Sequence, residues 1–362
     1  MSELARTPLF ERHRAAGARL VPFAGWEMPV QYAGVIDEVR AVRTGAGLFD
    51  VSHMGQLRLG GAAAEAFLQR VLSNDLGRIE PGHAQYTLLT NESGGIVDDL
   101  IAYREAGGFL LVVNASNIAA DVAHLRARIG ADDATLSDES PAHAMLALQG
   151  PRALALLGTL RDGGFDPLAA PPFAFGSLRV SGVDCTCART GYTGEPGVEL
   201  ICAAGDAVRL WDALVAAGAV PCGLGARDAL RLEVCYPLHG QDITPETDAI
   251  EAGLGWVCSL AKEFTGAAAL RRTTAAGRAR ALVAFRMVEP RAIPRPGCPI
   301  VDGDAAVGTV TSGTFSPTLG AGIGMGYVPI ALAEPGTEIT IDVRGRALAA
   351  TVARKPLYSK ES

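Results

Sequence analysis

Between Gln85 and Ala115 the chain carries three apolar runs, QYTLLT, IVDDLIAY and FLLVVNA, each set off from the next by turn residues. Each run is too short for a typical globular helix and is bounded by turn signals, so each reads as a β-strand. Successive strands joined by short turns pair antiparallel. The middle run holds two adjacent carboxylates, Asp98 and Asp99, after the turn NESGG. Side chains alternate along a strand, so Ile96, Asp98 and Leu100 share one face, and Val97, Asp99, Ile101 and Tyr103 the other. If both faces are covered, one carboxylate sits in an apolar setting, where an unpaired charge costs several kcal/mol and must be paired or used. The alternative is that both Asp residues are solvated at the start of the strand.

The strand-rich pattern occurs twice. Before the three runs come a helix over Pro8–Gly17, a second over Val35–Thr44, a strand pair in FDVSHMGQLRL, and a helix in AAAEAFLQRVL with Ala64, Phe67, Leu68 and Val71 on one stripe. After them, Ser116 or Asn117 caps a helix with Ile118, Val122 and Leu125 on one face. HAMLALQ then reads as a strand, Pro151 opens a helix to Leu160, SLRVSGVDCTCART is a hairpin, VELICA a strand and DAVRLWDALVAAG a helix. Two such units predict antiparallel sheets covered by helices, an α+β arrangement. Beyond Gly277 short strands alternate with turns, the texture of a small β-barrel, so a domain boundary is expected near Thr273–Arg280.

The 362 residues carry a net charge of −7 and contain no basic run, which argues against nucleic-acid binding. Seven Cys at scattered spacings, with no C-x-x-C, argue against zinc and read as small core hydrophobes of a reducing, cytoplasmic compartment. The first residues hold no apolar signal core, and no apolar run is long enough to span a membrane.

Two further segments offer ligand chemistry. In RTGYTGEPGVEL, Tyr192 and Glu199 flank a Gly-rich loop. A lone Glu there reads as an exposed strand-edge residue. The glycines favour close approach of backbone to a ligand, and the carboxylate then accepts two N–H donors from a planar heterocycle. In GLGARDALRLE, Arg227 and Arg231 share a helix face, suited either to a planar carboxylate partner (Glu199 or a ligand) or to surface ion pairing. His53, in an apolar-flanked strand, reads as structural. GAGIGMG at 320–326 resembles a phosphate loop but leads into a strand, not a helix. No G-x-S-x-G elbow occurs.

Taken together and in order, GWEMPVQY, GLFDVSHMG, GGIVDDL, ALQGP, RTGYTGEPGVEL, GLGARDALRLE, GQDI and TSGTFSPTL resemble the T-protein family, the aminomethyltransferases of the glycine cleavage system, over about Thr7 to Tyr358. The resemblance implies a three-lobed, cloverleaf-like fold. Residues 1–276 would form the folate-binding region and 277–362 a C-terminal β-barrel. It implies transfer of a methylene carbon from an aminomethyl group on the lipoyl arm of the H-protein to tetrahydrofolate, with release of ammonia and no metal. Carried over by motif, Asp99 would be catalytic, with Asp98 facing away as a structural or solvated residue. Glu199, Arg227, Tyr192, Tyr86, Tyr103 and Met54 would line the folate site. The chain departs from the family at His239, where an aromatic is frequent, and at Val39. Its short end leaves the roles of Arg354 and Tyr358 open. A demethylase-type folate enzyme is the nearest alternative. An iron–sulfur assembly factor would carry a K-G-C-x-x-G-Q-E segment, where this chain reads RTGYTGEPGVE.

Overall fold

The three runs form strands His83–Thr90, Ile96–Glu105 and Gly108–Val113 in the computed structural model, which describes residues 4–303 and 305–360. They lie side by side in a five-stranded sheet completed by Gly55–Gly60 and Thr135–Asp138. A seven-stranded sheet runs in the order Arg161–Gly164, Phe175–Val180, Val183–Ala188, Gly197–Ala203, His143–Gln149, Gly47–Asp50, Val220–Pro221. All its pairs are antiparallel except the last, which is parallel.

The two strands of FDVSHMGQLRL form as expected but do not pair with each other. Gly47–Asp50 pairs with His143–Gln149, and Gly55–Gly60 pairs with Gly108–Val113 and Thr135–Asp138. The chain turns between them. The Met54 amide donates to the Val51 carbonyl, and the buried Asp50 carboxylate accepts from the Ser52 amide and the Thr7 hydroxyl and bonds His13 Nε2. Alternation defines a strand's two faces but carries no information about its partner.

Two compact units can be distinguished. One comprises the chain up to Val71, Asp75–Thr87 and Asp99–Arg227; the other comprises Leu72–Asn74, Leu88–Asp98 and the chain from Asp228 on. In the first unit, the central strand Gly197–Ala203 is buried from Gly197 to Cys202. Its near-continuous apolar sequence is that of a strand covered on both faces. Helix Ala207–Ala216 buries Ala207, Leu210, Trp211 and Leu214, the i, i+3, i+4, i+7 stripe of a helix packed on a core. Helix Ala64–Val71 buries the four residues its pattern predicts. Helix Ile118–Ile129 departs from expectation: Asp121 and Leu125 are buried while Ile118 and Val122 are half-buried. All seven cysteines are free thiols, six of them buried, and Cys185, Cys187 and Cys202 pack in the sheet's core. Among the described residues no helix is long and apolar enough to cross a membrane.

In the second unit, strands Arg280–Met287, Ala321–Pro329, Ala305–Ser316, Pro299–Asp302, Glu338–Val343 and Arg346–Ala353 close into a barrel in that order. GAGIGMG lies almost wholly within the second of these, so it is strand and not a phosphate loop. Its alternate glycines are there for packing. A Cβ at Gly322 would lie 1.9 Å from the Ala292 carbonyl oxygen, at Gly324 2.4 Å from the Phe285 ring, and at Gly326 2.6 Å from the Thr309 carbonyl oxygen.

The same unit holds a buried ion-pair hub. Arg231, 1% exposed, donates to Asp242 (2.6 Å), Asp228 (2.8 Å), the Ser312 hydroxyl (2.7 Å) and the Tyr236 carbonyl (3.1 Å). Asp242 also accepts from Ser312, Thr311 and the Leu238 amide. The ion pair along the helix that the sequence allows is present, to the partly exposed Asp228 three residues before Arg231, but the buried partner is Asp242, which the helix pattern does not reveal.

Asp242→Ala leaves the Arg231 charge buried without its main partner and should lower unfolding stability by about 3–5 kcal/mol in urea denaturation. A loss under about 1 kcal/mol would show that the hub does not hold the unit together. Gly324→Ala should cost about 1–3 kcal/mol by overpacking against Phe285, read as a fall in Tm. An unchanged Tm would show that the barrel has room there.

Candidate functional site

Asp98 and Asp99 part company in the folded chain. Asp98 is fully buried, so of its two expected states the solvated one is ruled out. Asp99, on the opposite face, is half-buried. Its Oδ2 accepts from the Tyr86 hydroxyl at 2.9 Å, and its Oδ1 accepts from Asn114 Nδ2 at 2.9 Å. Asn114 also donates to the Asp99 main-chain oxygen at 3.0 Å. Tyr86 comes from the strand on one side, and Asn114 directly follows the strand on the other. The carboxylate is thus held from both sides in one orientation while part of it stays accessible.

Four residues further along the same strand, Tyr103 is fully buried with its ring edge on Phe175, centroids 5.2 Å apart. Its hydroxyl lies 3.4 Å from Thr190 Oγ1, and Thr190 Oγ1 donates to Glu199 Oε2. Glu199 is 8% exposed and is not the exposed edge residue that an isolated reading of its segment allows. Burial pushes its carboxyl group above the usual carboxylate range, while the Thr190 hydrogen bond and the Arg227 charge pull it back down. Burial, with the Glu199 charge adding to it, pushes the Tyr103 phenol far up, so it remains a neutral hydroxyl.

Arg227 lies over the Tyr192 ring, with its guanidinium carbon 4.7 Å from the centroid, a cation–π contact. Both residues are half-buried. His53 is buried edge-on to Phe23 at 5.7 Å, and desolvation lowers its pKa to about 4, with Asp50 opposing and Arg227 assisting. It is therefore neutral near pH 7. Its Nδ1 is buried with no hydrogen-bond partner among the described residues, so it is not the fully satisfied structural histidine that the sequence suggests. Met54, next to it, is half-buried.

In the Gly-rich loop 191–197 two glycines leave room for Gln149 and, at Gly197, also for the Leu148 carbonyl oxygen, which would lie 2.4 Å from a Cβ there. A Cβ at Gly191 would lie 2.0 Å from Gln149 Oε1, and one at Gly197 would lie 2.6 Å from Gln149 Nε2. Gln149 in turn bonds the Thr190 and Val198 carbonyls (both 3.2 Å) and accepts from the Thr193 hydroxyl (2.9 Å), which fixes the loop. Arg43 ties its tip by donating to the Thr193 carbonyl and to Glu195.

The structure thus joins Asp99 with Tyr86, Glu199 with Tyr103 through Thr190, and Arg227 with Tyr192. It leaves Arg231 out. Asn114 and Thr190 were not picked out from the sequence. Asn114 stands in FLLVVNA and Thr190 in RTGYTGEPGVEL, where an Asn after a strand and a Thr in a loop look like ordinary turn residues. A separate cavity of about 610 Å³ in this unit is lined by Arg58 and Arg179 together with Asp162 and Asp184, and by none of the residues expected at the site. Among the described residues no group of three or more His, Cys, Asp or Glu is placed to hold a metal ion.

The GCVT N-terminal domain model matches residues 9–262, and the glycine cleavage T-protein C-terminal barrel domain model matches residues 280–359. An aminomethyltransferase of Geobacillus kaustophilus is 47% identical over 365 residues, covering 99% of each chain. One from Rubrobacter xylanophilus is 49% identical over 360 residues, covering 99% of this chain and 95% of its own. The crystal structure of the glycine cleavage system aminomethyltransferase T from Bartonella henselae superposes with a TM-score of 0.91 at 36% identity, covering 98% of both chains. An ordered set of motifs, an α+β fold ending in a closed barrel, and full-length relatives agree: the chain belongs to the glycine cleavage T-protein family of aminomethyltransferases.

Proposed function

We propose that this chain accepts an aminomethyl group from the lipoyl arm of an H-protein and transfers its methylene carbon to tetrahydrofolate. The products are 5,10-methylenetetrahydrofolate, ammonia and the reduced lipoyl thiol. The carbon–sulfur and carbon–nitrogen bonds of the donor break, and two bonds form to the folate nitrogens. The two N–H protons of the folate leave with the sulfur and the ammonia. Family membership supports the reaction class.

The observation that carries the residue assignment is the hold on Asp99, half-buried with a neutral donor on each carboxylate oxygen. A carboxylate fixed in this way is preorganised to stabilise positive charge that develops as the methylene reaches the folate nitrogen, and to orient or deprotonate that nitrogen. Glu199 accepts the paired donors of the pterin edge, and the Thr190 hydrogen bond and the Arg227 charge favour its charged form against the effect of burial. Tyr192, Tyr86 and Met54 complete the wall as stacking or apolar surface, and the fully buried Tyr103 backs it through Thr190. The division into 1–276 and 277–362 is part of this reading. It is supported by the helix Ala267–Ala276 ending at Gly277 and the first barrel strand opening at Arg280. A cytoplasmic setting is supported by the seven free thiols.

The test mixes purified protein with tetrahydrofolate and aminomethyl-loaded lipoyl carrier and follows ammonia and methylenetetrahydrofolate. Both should form in equal amounts. Asp99→Asn should cut turnover by about 10²-fold or more while folate affinity stays within a few-fold. Folate binding without ammonia release by the wild-type protein would mean a different donor. Undiminished turnover in Asp99→Asn would remove the role given to that residue.

A further inference from the structure

Glu199 is the one acidic side chain in the apolar central strand 197–203, and its two oxygens are treated differently. Oε2 accepts the Thr190 hydroxyl, while Oε1 has no hydrogen-bond partner among the described residues. The residues paired with Glu199 on the two adjacent strands are Ala188 and Ala147, neither of which has a polar side chain. The other groups near the carboxylate are Arg227, from the helix Leu224–Glu233, and the buried Tyr103 hydroxyl, which feels the Glu199 charge and lies 3.4 Å from Thr190 Oγ1. Thr190 is itself immobilised. Its carbonyl accepts from Gln149 Nε2, and the adjacent Gly191 lies so close to Gln149 that a Cβ there would collide with it.

We propose that Thr190 is a positioning residue for the aminomethyl transfer. Its hydroxyl, backed by the Tyr103 hydroxyl and carried on backbone that Gln149 holds, sets the Glu199 carboxylate in an orientation that presents Oε1 and the outer side of Oε2 to a planar pair of N–H donors on the acceptor substrate. This rests on Glu199 being the folate-binding carboxylate. It adds that the orientation and charge of Glu199 depend on a threonine that touches no substrate. A buried carboxylate without this bond has lost one of only two influences that favour its charged form. The sign follows directly. The group is already shifted upward by burial, so removing the hydroxyl shifts it further up, and the charged acceptor is lost at a higher pH as pH falls.

The experiment compares Thr190→Val, which keeps the shape and removes the hydroxyl, with Thr190→Ser, which keeps the hydroxyl, and with Glu199→Gln. Each is assayed with tetrahydrofolate and aminomethyl-loaded carrier across pH, together with direct titration of tetrahydrofolate binding. Thr190→Val should raise the KM for tetrahydrofolate about tenfold near pH 7 with kcat within about twofold, and should move the acidic limb of kcat/KM upward in pH. Thr190→Ser should match the wild-type protein in both. A general loss of structure would lower kcat and Tm without moving the acidic limb, and would overturn the proposal, as would equal behaviour of the Val and Ser variants. If Thr190→Val is silent while Glu199→Gln loses folate affinity, Thr190 has no positioning role and the reading of Glu199 stands. If both are silent, the proposal fails together with that reading.

Discussion

A carboxylate in the middle of a fully covered strand has to be compensated where it sits, and Glu199 imposes that condition on everything around it. The strand Gly197–Cys202 is otherwise apolar apart from its glycine, and the residues paired with Glu199 are alanines. Compensation therefore has to come from the loop and from the helix. Thr190 supplies a neutral donor and Arg227 a charge. These are also the segments whose sequences, RTGYTGEPGVEL and GLGARDALRLE, look least like ordinary structural filler. The loop's shape follows from the same need: Gln149 holds Thr190 and Thr193, and Gly191 and Gly197 leave the space that Gln149 occupies.

Asp99 illustrates the opposite solution. It lies half-buried on the other face of its strand, where the Tyr86 hydroxyl and the Asn114 amide each bond one carboxylate oxygen and orient it. The neighbouring Asp98 faces the other way and is fully buried. A single step along a strand thus separates an accessible carboxylate from a buried one, the consequence of a two-residue period. In the second unit the buried charge is handled by pairing. Arg231 and Asp242 share Ser312 between them, and Asp242 takes further donors from Thr311 and Leu238, so few lone pairs are left unused.

Much of this was legible in the residues. An amphipathic stripe locates the helix at 64–71, DAVRLWDALVAAG reads as the helix found at 207–216, and the short apolar runs locate the strands at 83–90, 96–105 and 197–203. The change of texture after Gly277 announced the barrel strands. What could not be read was pairing and purpose. The strands either side of Ser52 enter different sheets, because the choice of partner is made by distant segments. The glycines of GAGIGMG serve close packing against Phe285 and two carbonyls, and the same spacing in a loop would serve phosphate. Arg231 looked equivalent to Arg227, since a helix face shows only that they are neighbours and not which of them is buried. Asn114 and Thr190 were overlooked for a related reason: short polar side chains at strand ends and loops are common, and their partners lie 15 and 9 residues away.

The most direct test is a crystal structure of the protein with tetrahydrofolate bound. The account predicts the donor edge of the pterin within about 2.7–3.2 Å of the Glu199 carboxylate and the folate nitrogens turned toward Asp99. A folate seated elsewhere, for instance in the cavity lined by Arg58 and Arg179, or one bound with its nitrogens turned away from Asp99, would contradict it.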